Sequence, residues 1–379
     1  MIKNNNEGLE KASSLLKDGR LVAFPTETVY GLGANALDVE AVLSIFRAKG
    51  RPLSDPLIVH VSDVSSCERL VDLNEEENGV FRLLSGRFWP GPMTIIVRAS
   101  KLIPLKVTAD TGFVGLRSPR HPLARRLLEV CGLPLAAPSA NRFGHVSPTT
   151  AAHVLADLGE KDVAVLDGDS DTLQGDTCAV GIESTVAKID TARKVVTVLR
   201  QGAVSEADIY ECLMESGYNT WQVEALSRVV KMHSSEDTPS SSSSSSAGAV
   251  GEQAPGQAIT HYAPDVPCFL HTSIAPGVET RVMIPEDAMK SLVVIDFGGQ
   301  LVHIKDACRS YMDLAPTGVA EEGARNLFSA LRKAENVSGA DMVLVASVSV
   351  AAEQPLGLGL ADRIMRATSG RSLHLRIEA

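Results

Sequence analysis

The stretch from Arg20 to Val61 constrains the fold more than any other. An apolar strand, Leu21-Val-Ala-Phe24, enters a turn rich in threonine and glycine, Pro25-Thr-Glu-Thr-Val-Tyr-Gly-Leu-Gly33. A helix follows: Val39, Val42, Leu43 and Phe46 recur at helical spacing, with Asp38 as its N-cap. Gly50 and Pro52 stop it, leaving Lys49 and Arg51 at its end, before the apolar strand Leu57-Ile-Val-His-Val61. Strand, turn, helix and strand in this order predict an α/β layer. Hydroxyls, backbone amides and two cations gathered in a small volume suit a polyphosphate held beside a small polar acid. The glycines match neither a P-loop nor a dinucleotide fingerprint. Taken alone they are a tight turn between strand and helix, and the two cations could simply complement the helix dipole.

Beyond this stretch, strands are expected at 95–97, 163–166, 184–187 and 195–199, and helices around Leu123, Leu127 and Leu128 and around Val154, Leu155 and Leu158. Ser147, just before Pro148, has the local pattern of an N-cap for a helix beginning Pro148-Thr-Thr-Ala. From 233 to 251 the chain is polar, with serine from 240 through 246, and is expected to be a flexible linker. After it, apolar runs at 292–297 and 342–346 flank a helical stripe of Ala320, Ala324, Leu327, Phe328 and Leu331. That order predicts a small parallel sheet flanked by helices. The domains expected are 1–215, a linker at 216–265, and 266–379.

The net charge of −10 argues against a general nucleic-acid binder, although a local basic cleft stays possible. Six scattered cysteines form no C-x-x-C pair, so neither zinc nor a disulfide framework is suggested. No run of about 20 apolar residues is present to span a membrane, and the polar N-terminus lacks a signal core. A soluble, cytoplasmic protein with no membrane association is expected.

Four blocks resemble the YrdC-like family in its long, two-domain form. They are Arg20 to Val61; Phe88-Trp-Pro-Gly-Pro-Met-Thr-Ile-Ile-Val97 with Val114-Gly-Leu-Arg117; Pro134-Leu-Ala-Ala-Pro-Ser-Ala-Asn141 with Ser147-Pro-Thr149; and Gly181-Ile-Glu-Ser-Thr185 with Arg200. His261-Tyr-Ala-Pro264 resembles the linker of the long form. The resemblance implies a twisted YrdC-like α/β domain with an open concave cleft, followed by a smaller Rossmann-like domain with a parallel sheet. It implies that L-threonine, bicarbonate and ATP, with magnesium accompanying ATP, become threonylcarbamoyl-adenylate and pyrophosphate. The product would pass to a transferase that modifies adenosine beside the anticodon of tRNA. By position, Thr28, His60, Arg117, Ala137 and Ser184 would hold threonine. Lys49, Arg51, Asp55, Ser139, Asn141, Ser147 and Arg200 would face ATP, with Lys49 and Arg51 catalytic and Tyr262 a lid. Asp55 stands where the family usually has Asn, and Phe113 where it often has Thr. The alternative is a module binding double-stranded RNA or tRNA without adenylation, for which weak RNA contact would be the trace. Carbamoyl-transfer domains of the hydrogenase-maturation type also resemble the chain locally, but they carry zinc-finger cysteine pairs.

Overall fold

The computed structural model describes residues 1–169, 177–226, 261–271 and 286–373. The serine-rich stretch 233–251, expected to be flexible, lies outside them. The strands are β1 (Leu21–Phe24), β2 (Gly31–Asn35), β3 (Ile58–His60), β4 (Met93–Arg98), β5 (Phe113–Arg117), β6 (Leu135–Ala136), β7 (Val163–Val165), β8 (Thr185–Asp190), β9 (Val195–Arg200), β10 (Gln222–Ala225), β11 (Cys268–His271), β12 (Leu292–Asp296), β13 (Ser310–Asp313), β14 (Met342–Val345) and β15 (Ser372–Leu373). The helices are α1 (Asn6–Lys17), α2 (Val39–Lys49), α3 (Glu75–Phe88), α4 (Pro122–Cys131), α5 (Ala151–Leu158), α6 (Glu206–Glu215), α7 (Glu286–Met289), α8 (Ala320–Glu335) and α9 (Gly357–Ala367).

Strands β1 to β10 form one mixed sheet in the order β10-β9-β8-β4-β5-β3-β6-β2-β1-β7. The glycines expected in a turn are instead in strand β2, antiparallel to β1, with Phe24 opposite Gly31 and Ala23 opposite Leu32. Packing explains them. A β-carbon on Gly33 would lie 2.8 Å from the Phe24 ring, and one on Gly31 would lie 3.3 Å from the Ala137 methyl. Glycine therefore lets the Phe24 ring and the 137–139 segment close over the strand.

Asp38 caps α2, its carboxylate accepting the Glu40 and Ala41 amides, and Gly50 ends the helix in the left-handed region at φ 67°. The buried face is set one step round from the expected one. Val42, Ile45, Phe46 and Lys49 are buried, whereas Val39 is exposed and Leu43 half-buried. The shift matters because it turns Lys49 inward, off the solvent side where it would only complement the dipole.

The second sheet has the order β13-β12-β14-β11-β15, and all of its paired strands are parallel. The stripe on α8 is buried as its spacing predicts. Strand β10 pairs in parallel with β9, so the first sheet reaches past residue 215. The two units share apolar packing. Val29, Val146, Val180 and Ile182 of the first belong to the same buried cluster as Phe297, Phe328 and Leu360 of the second.

Charge also crosses the boundary. Arg332 of α8 reaches both carboxylate oxygens of Asp157 in α5, at 3.1 and 2.9 Å, and donates to the Val146 carbonyl. His145 lies between Asp157 and Glu335, 2.9 Å from each. Burial opposes its protonation, but these two carboxylates outweigh that and hold its pKa above the usual value. No helix among the described residues is long and apolar enough to cross a membrane.

Candidate functional site

Parallel pairing of β3 with β5 sets His60 beside Arg117 at the end of both strands. The Thr26–Tyr30 turn, the 137–139 segment after β6, Glu183 before β8 and Arg200 at the end of β9 complete a cavity. Arg51 enters from the end of α2, and His261 and Tyr262 come from the segment leading to the second sheet.

One side of this cavity is a small polar cup. The Arg117 guanidinium donates to Glu27 at 2.7 Å and to the Thr28 hydroxyl at 3.0 Å; its Nε has no partner among the described residues. Glu27 also accepts the backbone amides of Arg120 and His121. Burial raises its pKa, but the Arg117 charge and these donors outweigh that and keep it low. Arg117 is thus held in one orientation by a carboxylate behind it, with donor capacity left for an incoming anion. The Thr28 hydroxyl is 2.8 Å from that of Thr26. Ala137 lies in the wall, its amide bonded to the Ile58 carbonyl.

His60 is buried, its Nδ1 unpartnered among the described residues, and burial with the nearby Arg117 charge brings its pKa down to about 3. The imidazole is therefore neutral at physiological pH. Because the unfolded chain binds a proton near pH 6.5 and the folded one near 3, His60 costs stability as pH falls through that window. His60→Asn is expected to flatten the acid limb of Tm against pH, by roughly 2–4 °C for each kcal/mol removed. An unchanged limb in differential scanning fluorimetry would contradict this.

The other side gathers cations. Lys49 donates through Nζ to the Ser139 carbonyl at 2.7 Å and to the Asn141 carbonyl. Burial and the adjacent Arg51 charge lower its pKa. The Asn141 amide in turn bonds to the Arg142 and His145 carbonyls. These contacts make Lys49 and Asn141 organisers of the 139–145 loop; neither they nor Asp55, Ser147 and Ser184 are in the cavity wall. Arg51 pairs with Asp55 at 2.8 Å and donates to the Pro56 carbonyl. Asp55 therefore faces a cation. Burial raises its pKa, and Arg51, Lys49 and Arg200 pull it back. Arg200 donates to the Ser184 carbonyl and hydroxyl, both at 3.0 Å, and Ser184 also meets Thr94 at 2.8 Å. Phe113 lies outside this cavity, packed near Ile96 and Val186 with the Lys188 ammonium 3.9 Å from its ring centre.

Ser147 does not cap the following helix. Thr150 does, accepting the His153 amide, and α5 begins at Ala151. Ser147 is fully buried and donates to Glu183 at 2.6 Å. The local Ser-Pro pattern was misleading because a buried carboxylate 36 residues away competes for the hydroxyl. Thr150→Ala is expected to cost about 1 kcal/mol of stability, the usual value of an N-cap, measurable by urea unfolding.

Three residues of the site carry no strong local signal: Glu27, Glu183 and His261. His261 packs edge-on to Phe143 and Tyr262, and burial next to Arg51, Lys49 and Arg200 holds its pKa well below normal. Tyr262 is buried over the cavity with φ 63°, and burial raises its phenol to about 12. The neighbouring Ala263 amide bonds to the Gly144 carbonyl, so this segment is fastened across the 139–145 loop.

A mixed α/β cleft with a polar cup on one side, buried cations on the other, and a strap from a second parallel-sheet unit defines the two-domain YrdC-like class. The family described as telomere recombination matches residues 14–202, and the C-terminal domain of threonylcarbamoyl-AMP synthase matches 221–369. The threonylcarbamoyl-AMP synthase of Pyrococcus abyssi is 35% identical over 364 residues, covering 95% of this chain and 94% of the relative. That of Bacillus subtilis is 32% identical, covering 98% and 95%. The crystal structure of P. abyssi Sua5 complexed with L-threonine superposes with a TM-score of 0.75 at 31% identity, covering 99% of this chain and 98% of that one. The chain belongs to the threonylcarbamoyl-AMP synthase family, in its long, two-domain form.

Proposed function

We infer that this protein condenses L-threonine, bicarbonate or its CO₂, and ATP into threonylcarbamoyl-adenylate and pyrophosphate, supplying the modification of adenosine beside the anticodon of tRNA. The observation that carries this is that one cavity joins the Arg117–Thr28–His60 cup to Arg51 and Arg200. A small amino acid and a polyphosphate would therefore lie within bonding distance of each other. In this reading Arg117 grips the threonine carboxylate, with Thr28, neutral His60 and Ala137 shaping its side and Ser184 at the edge. The threonine amine adds to CO₂ and loses a proton, giving a carbamate. A carbamate oxygen then attacks the α-phosphorus, and pyrophosphate leaves.

Both reactants are anions, so the protein's work is charge neutralisation and in-line positioning. Arg51 and Arg200 supply charge at the wall. Lys49, Ser139 and Asn141 shape the loop that would meet the nucleotide, and Ser147 stands behind it. Magnesium would arrive on the triphosphate as part of the substrate. Asp55, paired with Arg51, would hold that guanidinium toward the phosphates. Tyr262 and His261 form the strap that would keep water from a labile acyl-adenylate. The product would go to a separate transferase, and a cytoplasmic location belongs to this proposal.

Pyrophosphate release from ATP that requires both threonine and bicarbonate is the expected result. No release under any combination, with salt-dependent RNA binding instead, would overturn the reading. Ser147→Ala is expected to raise KM for ATP a few-fold, because it frees the wall residue Glu183 from one of its hydrogen bonds. An unchanged KM would remove Ser147 from the nucleotide side.

A further inference from the structure

The Gly181–Thr185 block is gripped from outside its own domain. A β-carbon on Gly181 would lie 2.3 Å from the Ala324 carbonyl oxygen and the Arg325 Cα of α8. One on Gly359 of α9 would lie 2.8 Å from the Ile182 side chain, with the Gly202 backbone at 3.5 Å. Backbone therefore meets backbone at Gly181, an approach only glycine permits, and Gly359 makes room for the Ile182 side chain. At the centre of this contact Arg363 of α9 is wholly buried, and its Nε donates to Glu183 at 2.9 Å. The other oxygen of that carboxylate accepts the Ser147 hydroxyl at 2.6 Å. The same guanidinium lies 5.5 Å from the centre of the Tyr262 ring, on which Phe328 of α8 also packs. Asp362 holds the far side of Arg363 at 2.8 Å.

A guanidinium this deep is costly unless its geometry is fully used, and here its contacts with Glu183 and Tyr262 lead to the cavity. Glu183 and Tyr262 both line it. We propose that Arg363 is a positioning residue of the second domain, which sets Glu183, and through it Ser147, on the nucleotide side of the site and seats the Tyr262 strap. The second domain is then part of the nucleotide site, not an appended module. Thr28, His60, Arg117 and Ala137 lie outside these contacts and only Ser184, next to Glu183, adjoins them, so the effect falls mainly on ATP. The assignment of ATP to this side rests on the synthase reading above.

The test measures ATP·Mg and L-threonine affinities by calorimetry on the full chain, alongside pyrophosphate release, for Arg363→Met, Arg363→Lys, Glu183→Gln and the Glu183→Gln/Arg363→Met double variant. Arg363→Met is expected to weaken ATP binding tenfold or more while threonine affinity stays within twofold. Arg363→Lys should recover part of the loss. In the Glu183→Gln background the Arg363→Met effect should shrink below about threefold, because only the part carried by the Tyr262 strap is then left. Equal losses in both backgrounds, or normal ATP affinity in Arg363→Met, would overturn the proposal. If Arg363→Met does not fold, as a melting curve would show, Arg363→Lys and Glu183→Gln carry the test: each should weaken ATP and not threonine, and parallel losses of both ligands would refute it. A wild-type chain that binds ATP but releases no pyrophosphate would sink the synthase reading alone, since the affinities still report on Arg363.

Discussion

Arg51→Ala is expected to lower turnover by about 10²–10³, the scale on which one preorganised charge-stabilising group is lost. Arg51 is the cation that α2 delivers to the cavity wall, and it is already oriented by Asp55 and the Pro56 carbonyl. No reorganisation is then needed as charge builds on the phosphates. Alanine would also strand the buried Asp55 carboxylate, so a stability loss could mimic a catalytic one. The Arg51→Ala/Asp55→Asn double variant separates them: it should recover the melting temperature while turnover stays low. Threonine affinity should hold, because Glu27 and Thr28 orient the Arg117 cup. Turnover within a few-fold of wild type in either variant would take Arg51 out of the mechanism.

Arg332→Ala should cost about 3–5 kcal/mol, the range for removing one partner of a buried ion pair. Asp157 would keep His145 and the Arg142 amide but lose its bidentate cation, in a site where both charged side chains are almost fully buried. For a domain of this size the loss corresponds to roughly 2–4 °C in Tm per kcal/mol. Asp157→Asn in the same chain should return much of it, since the uncompensated charge is then gone. Activity should fall too, because Glu335, the neighbour of His145 in this network, also accepts the Asp265 amide just after the strap. A melt unchanged by Arg332→Ala would mean that apolar packing alone holds the two units together.

Much of the fold is legible because its signals are local. Leu21–Phe24, Val195–Arg200, Leu292–Asp296 and Met342–Val345 are apolar runs of strand length. Asp38 and Gly50 mark the ends of α2 chemically, and the stripe on α8 faces inward at its 3.6-residue period. The errors arise where a distant group outbids a local preference. The spacing gives the period of α2, but what packs on the helix sets its phase and turns Lys49 inward. Ser147 had the local pattern of a cap and became a donor to a buried carboxylate. Gly31 and Gly33 suited a turn and became the thin part of a strand under the Phe24 ring.

The sequence by itself determined many of the strands and helices, the two-domain plan and the set of polar residues available to a site, because propensity, periodicity and caps act over a few neighbouring residues. The tertiary structure decided which of those residues share a cavity and which charge neutralises which. Glu27 meets Arg117 from 90 residues away, and Glu183 meets Arg363 from 180. No local pattern encodes such pairs. They form because a charge taken out of water must find its counter-charge among whatever groups the fold brings beside it.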